Sequence, residues 1–278
     1  TSKLCNVALS DMNSIVNCRV LVCAVLRSGT AIAPKGNFIL REGDRIFVTA
    51  SPHNLTNMLR SLGIITRRVR NVMLCGGGRV SYYLADILNR HGISVKLMEK
   101  NETRCRELSA LLPEVTVILG DGTDHAVLDS EGLAKTDALV SLTGMDELNM
   151  IMSLYGQSQG VSQVITKLGR MENHTIIDAL ALGSVVCPKE LCCNNIVRYV
   201  RAMQNQTGAA VSVHRIAHGQ VEAVEFLVDD TTLHCNTLLK NIRLKDNVLV
   251  VSITHGPKTE IPGGDASFDV GDTIVVVT

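Results

Sequence analysis

Residues 20–49 and 248–277 are one segment written twice. Aligned without gaps at an offset of 228, nine of 30 positions are identical: Val20/Val248, Leu21/Leu249, Val22/Val250, Pro34/Pro262, Gly36/Gly264, Gly43/Gly271, Asp44/Asp272, Ile46/Ile274 and Val48/Val276. The shared residues have physical jobs. Gly-Asp turns the chain into an alternating strand, and Pro–x–Gly opens the loop before it. A repeat this far apart requires two copies of a small β-rich module with something else folded between them. Upstream, Asn6, Val7, Leu9 and Asp11 align with Asn241, Ile242, Leu244 and Asp246 at an offset of 235, which predicts about seven extra residues near 12–18 in the first copy. Two strand-like runs, 211–216 and 221–228, precede the second copy and have no counterpart before the first. The expectation is a C-terminal part of a longer protein, cut inside its first module.

The segment between the copies reads as a parallel α/β unit. Apolar residues are 46% of the 278, mostly aliphatic, with no Trp; such a composition suits strands covered on both faces. Lys plus Arg equal Asp plus Glu at 27 each, so the chain lacks the positive field that nucleic acid selects. The uncharged stretch 148–166 carries three Gln, three Ser, an Asn and two Gly, too polar to span a bilayer. Residues 1–10 lack the basic and apolar regions of a signal peptide. Nine Cys with no CxxC pair suggest a reducing cytoplasm, and buried small hydrophobes rather than metal or redox centres. No HExxH occurs, and His214 and His218 have a spacing that does not converge on a metal.

Ser51-Pro52 is expected to start a helix with Leu55, Met58, Leu59 and Leu62 on one face. Gly63 stops it, and Arg67, Arg68 and Arg70 fall in a linker. Strands are then expected at 71–75, 93–98, 115–119, 137–142 and 162–168, alternating with helices. The inward stripe of the first of these helices is predicted as Val80, Leu84, Ile87 and Leu88. This divides the chain into a truncated module at 1–62, a linker at 63–70, a Rossmann-like domain at 71–187, a crossover helix at 188–204 opened by Pro188, and a second module at 205–278.

The loop after the first central strand, Gly76-x-Gly78-x-x-Ser81, approximates the dinucleotide fingerprint. Gly76 permits the tight turn, Gly78 lets the backbone approach a pyrophosphate at a helix N-terminus, and Ser81 replaces the third glycine. Glu99 closes the next strand 21 residues beyond Gly78, where an acid accepts hydrogen bonds from an adenosine ribose and repels a 2′-phosphate. The run Gly120–Asp124 follows the third strand, with amides and the Thr123 hydroxyl placed either for a nucleotide or to cap the next helix. Thr143-Gly144 and Lys167 end the fourth and fifth strands on the same crevice.

CGGGRVSYYLADIL, KLMEK, ILGDGTD, LVSLTGMDELNMI and VITKLGR, in order and followed by an EGD-type β module, resemble the TrkA family over essentially the whole chain. The family comprises cytosolic regulatory subunits of Trk potassium-uptake systems, with two pairs of KTN/RCK nucleotide domain and TrkA-C module per polypeptide. The resemblance implies contacts to NAD(H) or an adenine nucleotide (ATP or ADP) at Gly76, Gly78, Arg79, Val80, Glu99, Asp121, Gly122, Thr123, Thr143 and Lys167. It also implies a membrane potassium-translocating partner, homo-oligomers, and a cytoplasmic location at the inner face of the cell membrane. The residues alone leave two further readings open. An NAD-dependent oxidoreductase would need a proton donor and a substrate domain, yet no Tyr-x-x-x-Lys pair, Walker A run or nucleophile–base pair is legible, so no catalytic residue is assigned. The other is an assembly module without ligand.

Overall fold

In the computed structural model the first copy of the repeat folds around three antiparallel strands: β1 (Leu21–Arg27), β2 (Thr30–Ile32) and β3 (Arg45–Thr49), in the order β2-β1-β3. The structure describes residues 2–64, 68–170, 177, 180, 182–204, 210–217, 219–245 and 247–278; Arg67, His218 and Asp246, named above, lie outside them. Helices α1 (Leu9–Val16) and α2 (Pro52–Ser61) pack against the module, enclosing Met12, Val16, Val22, Val25, Leu40 and Met58. The start of α2 is as its sequence predicts: the Ser51 hydroxyl accepts the Asn54 N–H at 3.3 Å, and Pro52 occupies the first turn. Gly43 takes φ +86° in the turn before β3. Beside it the Asp44 carboxylate accepts two bonds from Arg27, at 2.7 and 2.6 Å, and the Arg41 N–H at 2.8 Å.

The central segment forms a six-stranded sheet. Its strands are β4 (Asn71–Cys75), β5 (Ser94–Glu99), β6 (Thr116–Leu119), β7 (Ala138–Ser141), β8 (Gln163–Lys167) and β9 (Ser184–Val186). The order is β6-β5-β4-β7-β8-β9 with every pair parallel. It is a Rossmann-like doubly wound sheet whose chain order reverses between β4 and β7. The connecting helices are α3 (Arg79–Arg90), α4 (Glu102–Leu111), α5 (His125–Ser130) and α6 (Asp146–Ser158). Two apolar clusters are built around the sheet, one containing Leu74, Leu97, Leu108 and Val140, the other Met73, Met98, Leu139 and Met152. The predicted stripe of α3 needs correcting. Val80 and Ile87 are exposed at 47% and 52%, and the buried positions are Ser81 and Ala85. Small residues let α3 approach the sheet closely; Leu84 and Leu88 pack against the core cluster as predicted, while Val80 and Ile87 turn outward.

Helix α7 (Pro188–Gln204) leads to the second module, a five-stranded antiparallel sheet of β10 (Ala210–Ile216), β11 (Val221–Leu227), β12 (Leu249–His255), β13 (Lys258–Glu260) and β14 (Thr273–Val277) in the order β10-β11-β14-β12-β13. The 228 offset superposes β1 on β12, β2 on β13 and β3 on β14. It also superposes Arg27–Asp44 on an ion pair of His255 with Asp272 at 2.7 Å. Upstream, the expected offset of 235 is overturned by the backbone. Asn6 N–H donates to Leu40 O where Asn236 N–H donates to Phe268 O, and Leu9 N–H donates to Phe38 O where Leu239 N–H donates to Ala266 O. Both pairs are 230 apart, as are the left-handed Asn6 and Asn236 and the left-handed Asn17 and Asn247. The first copy therefore gains only Cys18 and Arg19.

The chain divides into two compact units: residues 1–66 with 193–278, and residues 67–192. In the first unit the two modules share a core. Leu21 and Leu249, Cys23 and Val251, and Phe47 and Val275, three pairs of equivalent positions, lie in one cluster. The Gln220 side chain ties the modules at the edge, donating to Gly29 O at 2.7 Å and accepting the Ala31 N–H at 2.9 Å.

Candidate functional site

At the carboxyl ends of β4, β5, β6 and β7 a cavity of about 590 Å³ opens in the central unit. It lies at the switch point, where open α/β sheets take ligands. Cys75, Met98, Leu142, Leu148 and Met152 form its apolar wall, and the strand-end loops form its polar rim.

The glycine turn is held from three sides. Gly76 has φ +102°, and a Cβ there would come within 3.0 Å of the Thr143 amide nitrogen. Only glycine both adopts that φ and permits the approach. The Gly76 carbonyl is taken by the Ser81 hydroxyl, which is fully buried in the first turn of α3. Ser81 thus does more than substitute for a small glycine, because its hydroxyl closes the turn. Gly77 N–H donates to Glu99 Oε2 at 2.6 Å, and Asn101 N–H donates to Oε1 at 2.8 Å. On the other side Arg104 Nε donates to the Gly77 carbonyl at 2.8 Å while its Nη1 pairs with Glu107. Gly78 is the N-cap of α3; no side chain caps that end, and a Cβ at Gly78 would meet nothing within 4 Å. An uncapped helix N-terminus facing open space favours an anion.

The remaining rim is more self-contained. Asp121 Oδ1 accepts both the Thr123 N–H at 2.9 Å and the Thr123 hydroxyl at 2.7 Å. These bonds, from the backbone first and the hydroxyl second, hold its carboxyl below the ordinary range against desolvation, with Lys100 adding attraction. Asp124, not Thr123, caps α5 by accepting the Ala126 N–H. Gly122 is a close-approach position, its would-be Cβ 3.1 Å from Met152 Sδ and 3.2 Å from Cys75 Cβ. The fully buried Asn149 accepts the Thr143 N–H and hydroxyl and donates to the carbonyls of Thr143 and Lys167. The β7 loop is thereby fixed by its own helix. Burial pushes the Cys75 thiol up to about 12, so on the cavity floor it is a neutral packing group and not a nucleophile.

Of the residues singled out from the sequence, Gly76, Gly78, Glu99, Asp121, Gly122, Thr123 and Thr143 line this one cavity. Arg79 and Val80 lie in the exposed first turn of α3, outside the lining. Lys167 is also outside it; its Nζ donates to Thr143 O at 2.6 Å as a strut between β8 and the β7 loop. Sequence reasoning missed Gly77, Asn101, Arg104 and Met145, which line the cavity as well. The second glycine of the GGG run was the available signal for Gly77. Nothing in the spacing marks Arg104. Among the described residues no group of His, Cys, Asp or Glu is arranged to hold a metal ion.

A parallel sheet with its cavity at the switch point, a tight glycine turn into an uncapped helix, and an acid ending the next strand define the central unit as a Rossmann-type domain. Residues 72–188 match the TrkA-N domain and residues 1–63 match the TrkA-C domain. The Trk system potassium uptake protein TrkA homolog of Archaeoglobus fulgidus is 29% identical over 276 residues, covering 99% of this chain and 60% of that protein. Homolog 1 of Methanosarcina mazei is 25% identical over the same shares, and TrkA of Halomonas elongata is 24% identical over 92% of this chain and 55% of its own. The chain thus spans about 60% of the length of the first two relatives. Two solved structures share the fold at 14% identity. The GsuK RCK domain has a TM-score of 0.53 over 100% of this chain and 58% of its own, and the GsuK channel bound to NAD has 0.52 over 99% and 48%.

Proposed function

We propose that this chain is a regulatory nucleotide-binding part of a potassium uptake system, taking NAD(H) or an adenine nucleotide such as ATP or ADP at the crevice of its central unit. The observation that carries the reading is the juxtaposition of Glu99 with the Gly76–Gly78 turn. A carboxylate for ribose hydroxyls lies one hydrogen bond from the turn that opens on the uncapped α3 terminus. The residues fit such a ligand. Glu99 accepts one backbone amide on each oxygen, leaving lone pairs for ribose hydroxyls, and the space beside Gly78 is what a diphosphate requires. The residues proposed to contact it are Gly76, Gly78, Glu99, Asp121, Gly122, Thr123 and Thr143 in the lining, with Arg79, Val80 and Lys167 adjacent.

Its proposed partner is a membrane potassium-translocating subunit, to which the ligand state is passed through an assembly of copies of this chain; the relatives, potassium uptake proteins of the Trk system by name, support that reading. Helix α7 supports assembly, with Leu191, Ile196, Tyr199 and Val200 exposed at 56%, 56%, 67% and 46%. No helix among the described residues is long and apolar enough to cross a membrane, and we place the chain at the cytoplasmic face. The domain division is proposed as 1–62, 71–187 and 205–278, with 63–70 and 188–204 as connections. Only a ligand that binds two arrangements of the assembly unequally can shift them, and no turnover is required. Isothermal titration with NADH, NAD and ATP tests the site, and an absence of binding by all three removes the reading. Steady oxidation of NADH with carbonyl substrates would instead make the chain an oxidoreductase.

A further inference from the structure

The geometry points to Arg104 as a positioning residue that sets the phosphate-facing amides of the glycine turn while making no contact with the ligand's phosphates; this inference rests on the nucleotide reading above. The turn from Gly76 to Gly78 contains two peptide units. In the first, the Gly76 carbonyl is held by Ser81 and the Gly77 N–H by Glu99. In the second, the Gly77 carbonyl is held by Arg104 Nε at 2.8 Å. No peptide here is cis, so holding a carbonyl also aims the N–H of the same unit in the opposite direction. The three bonds together orient the Gly78 N–H without using it.

Arg104 suits this task because it is itself oriented. Its backbone N–H donates to the Asn101 side chain that caps α4, and its Nη1 pairs with Glu107 at 2.8 Å one turn along the same helix. The guanidinium therefore arrives from α4 with its plane fixed by a carboxylate at one end, leaving Nε for the Gly77 carbonyl. Asn101 also donates its backbone N–H to Glu99 Oε1. The ribose acid and the phosphate turn are thus tied to the first turn of α4 through two separate bonds, one through each partner of Gly77. Without Arg104 the second peptide unit is free to rotate, and the Gly78 N–H loses its aim while Glu99 keeps both of its bonds.

The prediction separates the two halves of a nucleotide. In the wild-type chain, titration calorimetry should give tighter binding of ADP and NADH than of adenosine. In Arg104→Gln the affinities for ADP and NADH should fall about tenfold, while adenosine binds within twofold of wild type, which also shows that the variant is folded. Arg104→Lys, which restores a charged donor to the Gly77 carbonyl, should recover part of the loss. The dependence of log affinity on log salt should keep its wild-type slope in Arg104→Gln, because no phosphate contact has been removed. A shallower slope would make Arg104 a direct phosphate ligand and overturn the assignment. Equal weakening of adenosine and ADP, or no weakening of either, would overturn it too. Failure of the wild-type chain to bind any of these ligands would refute the site reading itself, an outcome distinct from all of these.

Discussion

Replacing Gly77 by Ala tests the site at its tightest point. An ideal Cβ at this position would be 2.7 Å from Leu108 Cδ1, 2.9 Å from Glu99 Oε2 and 3.0 Å from Glu99 Cγ, whereas ordinary contact begins at 3.4 Å. Leu108 would have to retreat by 3.4 − 2.7 = 0.7 Å and the carboxylate oxygen by 3.4 − 2.9 = 0.5 Å. Leu108 is fully buried against the sheet, and overpacking of this kind costs about 1–3 kcal/mol. Moving Oε2 also stretches its 2.6 Å bond to Gly77 N–H. A charge-assisted bond is worth about 1.5–3 kcal/mol, less where half-exposed, so we take about 1 kcal/mol. The sum is about 2–4 kcal/mol of stability in the central unit, with at least a tenfold loss of NADH affinity because the ribose acid and the turn move together. Urea unfolding followed by circular dichroism reads the first quantity and titration calorimetry the second. Gly78→Ala is the control, since a Cβ there meets nothing; it should leave the unfolding midpoint unchanged and weaken only nucleotide binding. A Gly77→Ala protein with wild-type stability and wild-type NADH affinity would refute the reasoning.

Three other perturbations are equally direct. Glu99→Gln keeps the side-chain shape but removes the charge, and calorimetry should show about tenfold weaker binding of adenosine and NADH alike; unchanged affinity would move the ribose site elsewhere. Asp44 is held below the ordinary carboxylate range first by the Arg27 hydrogen bonds, against a smaller opposing effect of burial. Its contribution is therefore present above about pH 4 and lost as pH falls through its own lower titration. Thermal midpoints measured downward from pH 7 should fall more shallowly in Asp44→Asn, from a lower starting value, than in the wild type; parallel curves would exclude this linkage. Gly183 has φ +69°, and its would-be Cβ falls 2.1 Å from the Val164 carbonyl oxygen. Gly183→Ala should therefore cost at least about 3 kcal/mol or abolish folding of the central unit, and a soluble variant with the wild-type midpoint would contradict that.

The sheet and the repeat were legible because their signals are local. Apolar runs mark β4 to β8 within a residue or two, ended directly by glycine after β4 and β6 and by Glu99 in β5, and Gly43-Asp44 matching Gly271-Asp272 marks the modules. What stayed hidden depends on partners distant in sequence. Arg104 reaches Gly77 across 27 residues, and no spacing rule links a helix arginine to a glycine carbonyl. Lys167 had the right type and strand end for a phosphate, yet a nearer carbonyl, that of Thr143, holds it. Half of the α3 stripe holds, Leu84 and Leu88 packing on the core, but periodicity fixes a face only roughly: buried Ser81 and Ala85 fit a close helix–sheet approach better than Val80 and Ile87 do. The upstream repeat was misaligned because scattered matches outweighed the Cys-Asn pairs at 5–6 and 235–236, whose asparagines share a left-handed backbone.

The shared core of the two modules also makes an awkward order of events on the ribosome. Leu21 and Phe47 are translated well before the residues that pack in the same cluster, Leu249 and Val275, and residues 67–192 emerge in between. Until Leu249 and Val275 have been made, the Cys23–Ala24–Leu26 surface has no companion, and a second nascent chain carrying the same surface is the most available substitute. Expression at low temperature or with slowed translation should therefore change the yield of entangled dimers, whereas the central unit, whose strands are consecutive in the chain, should be indifferent to the pace of synthesis.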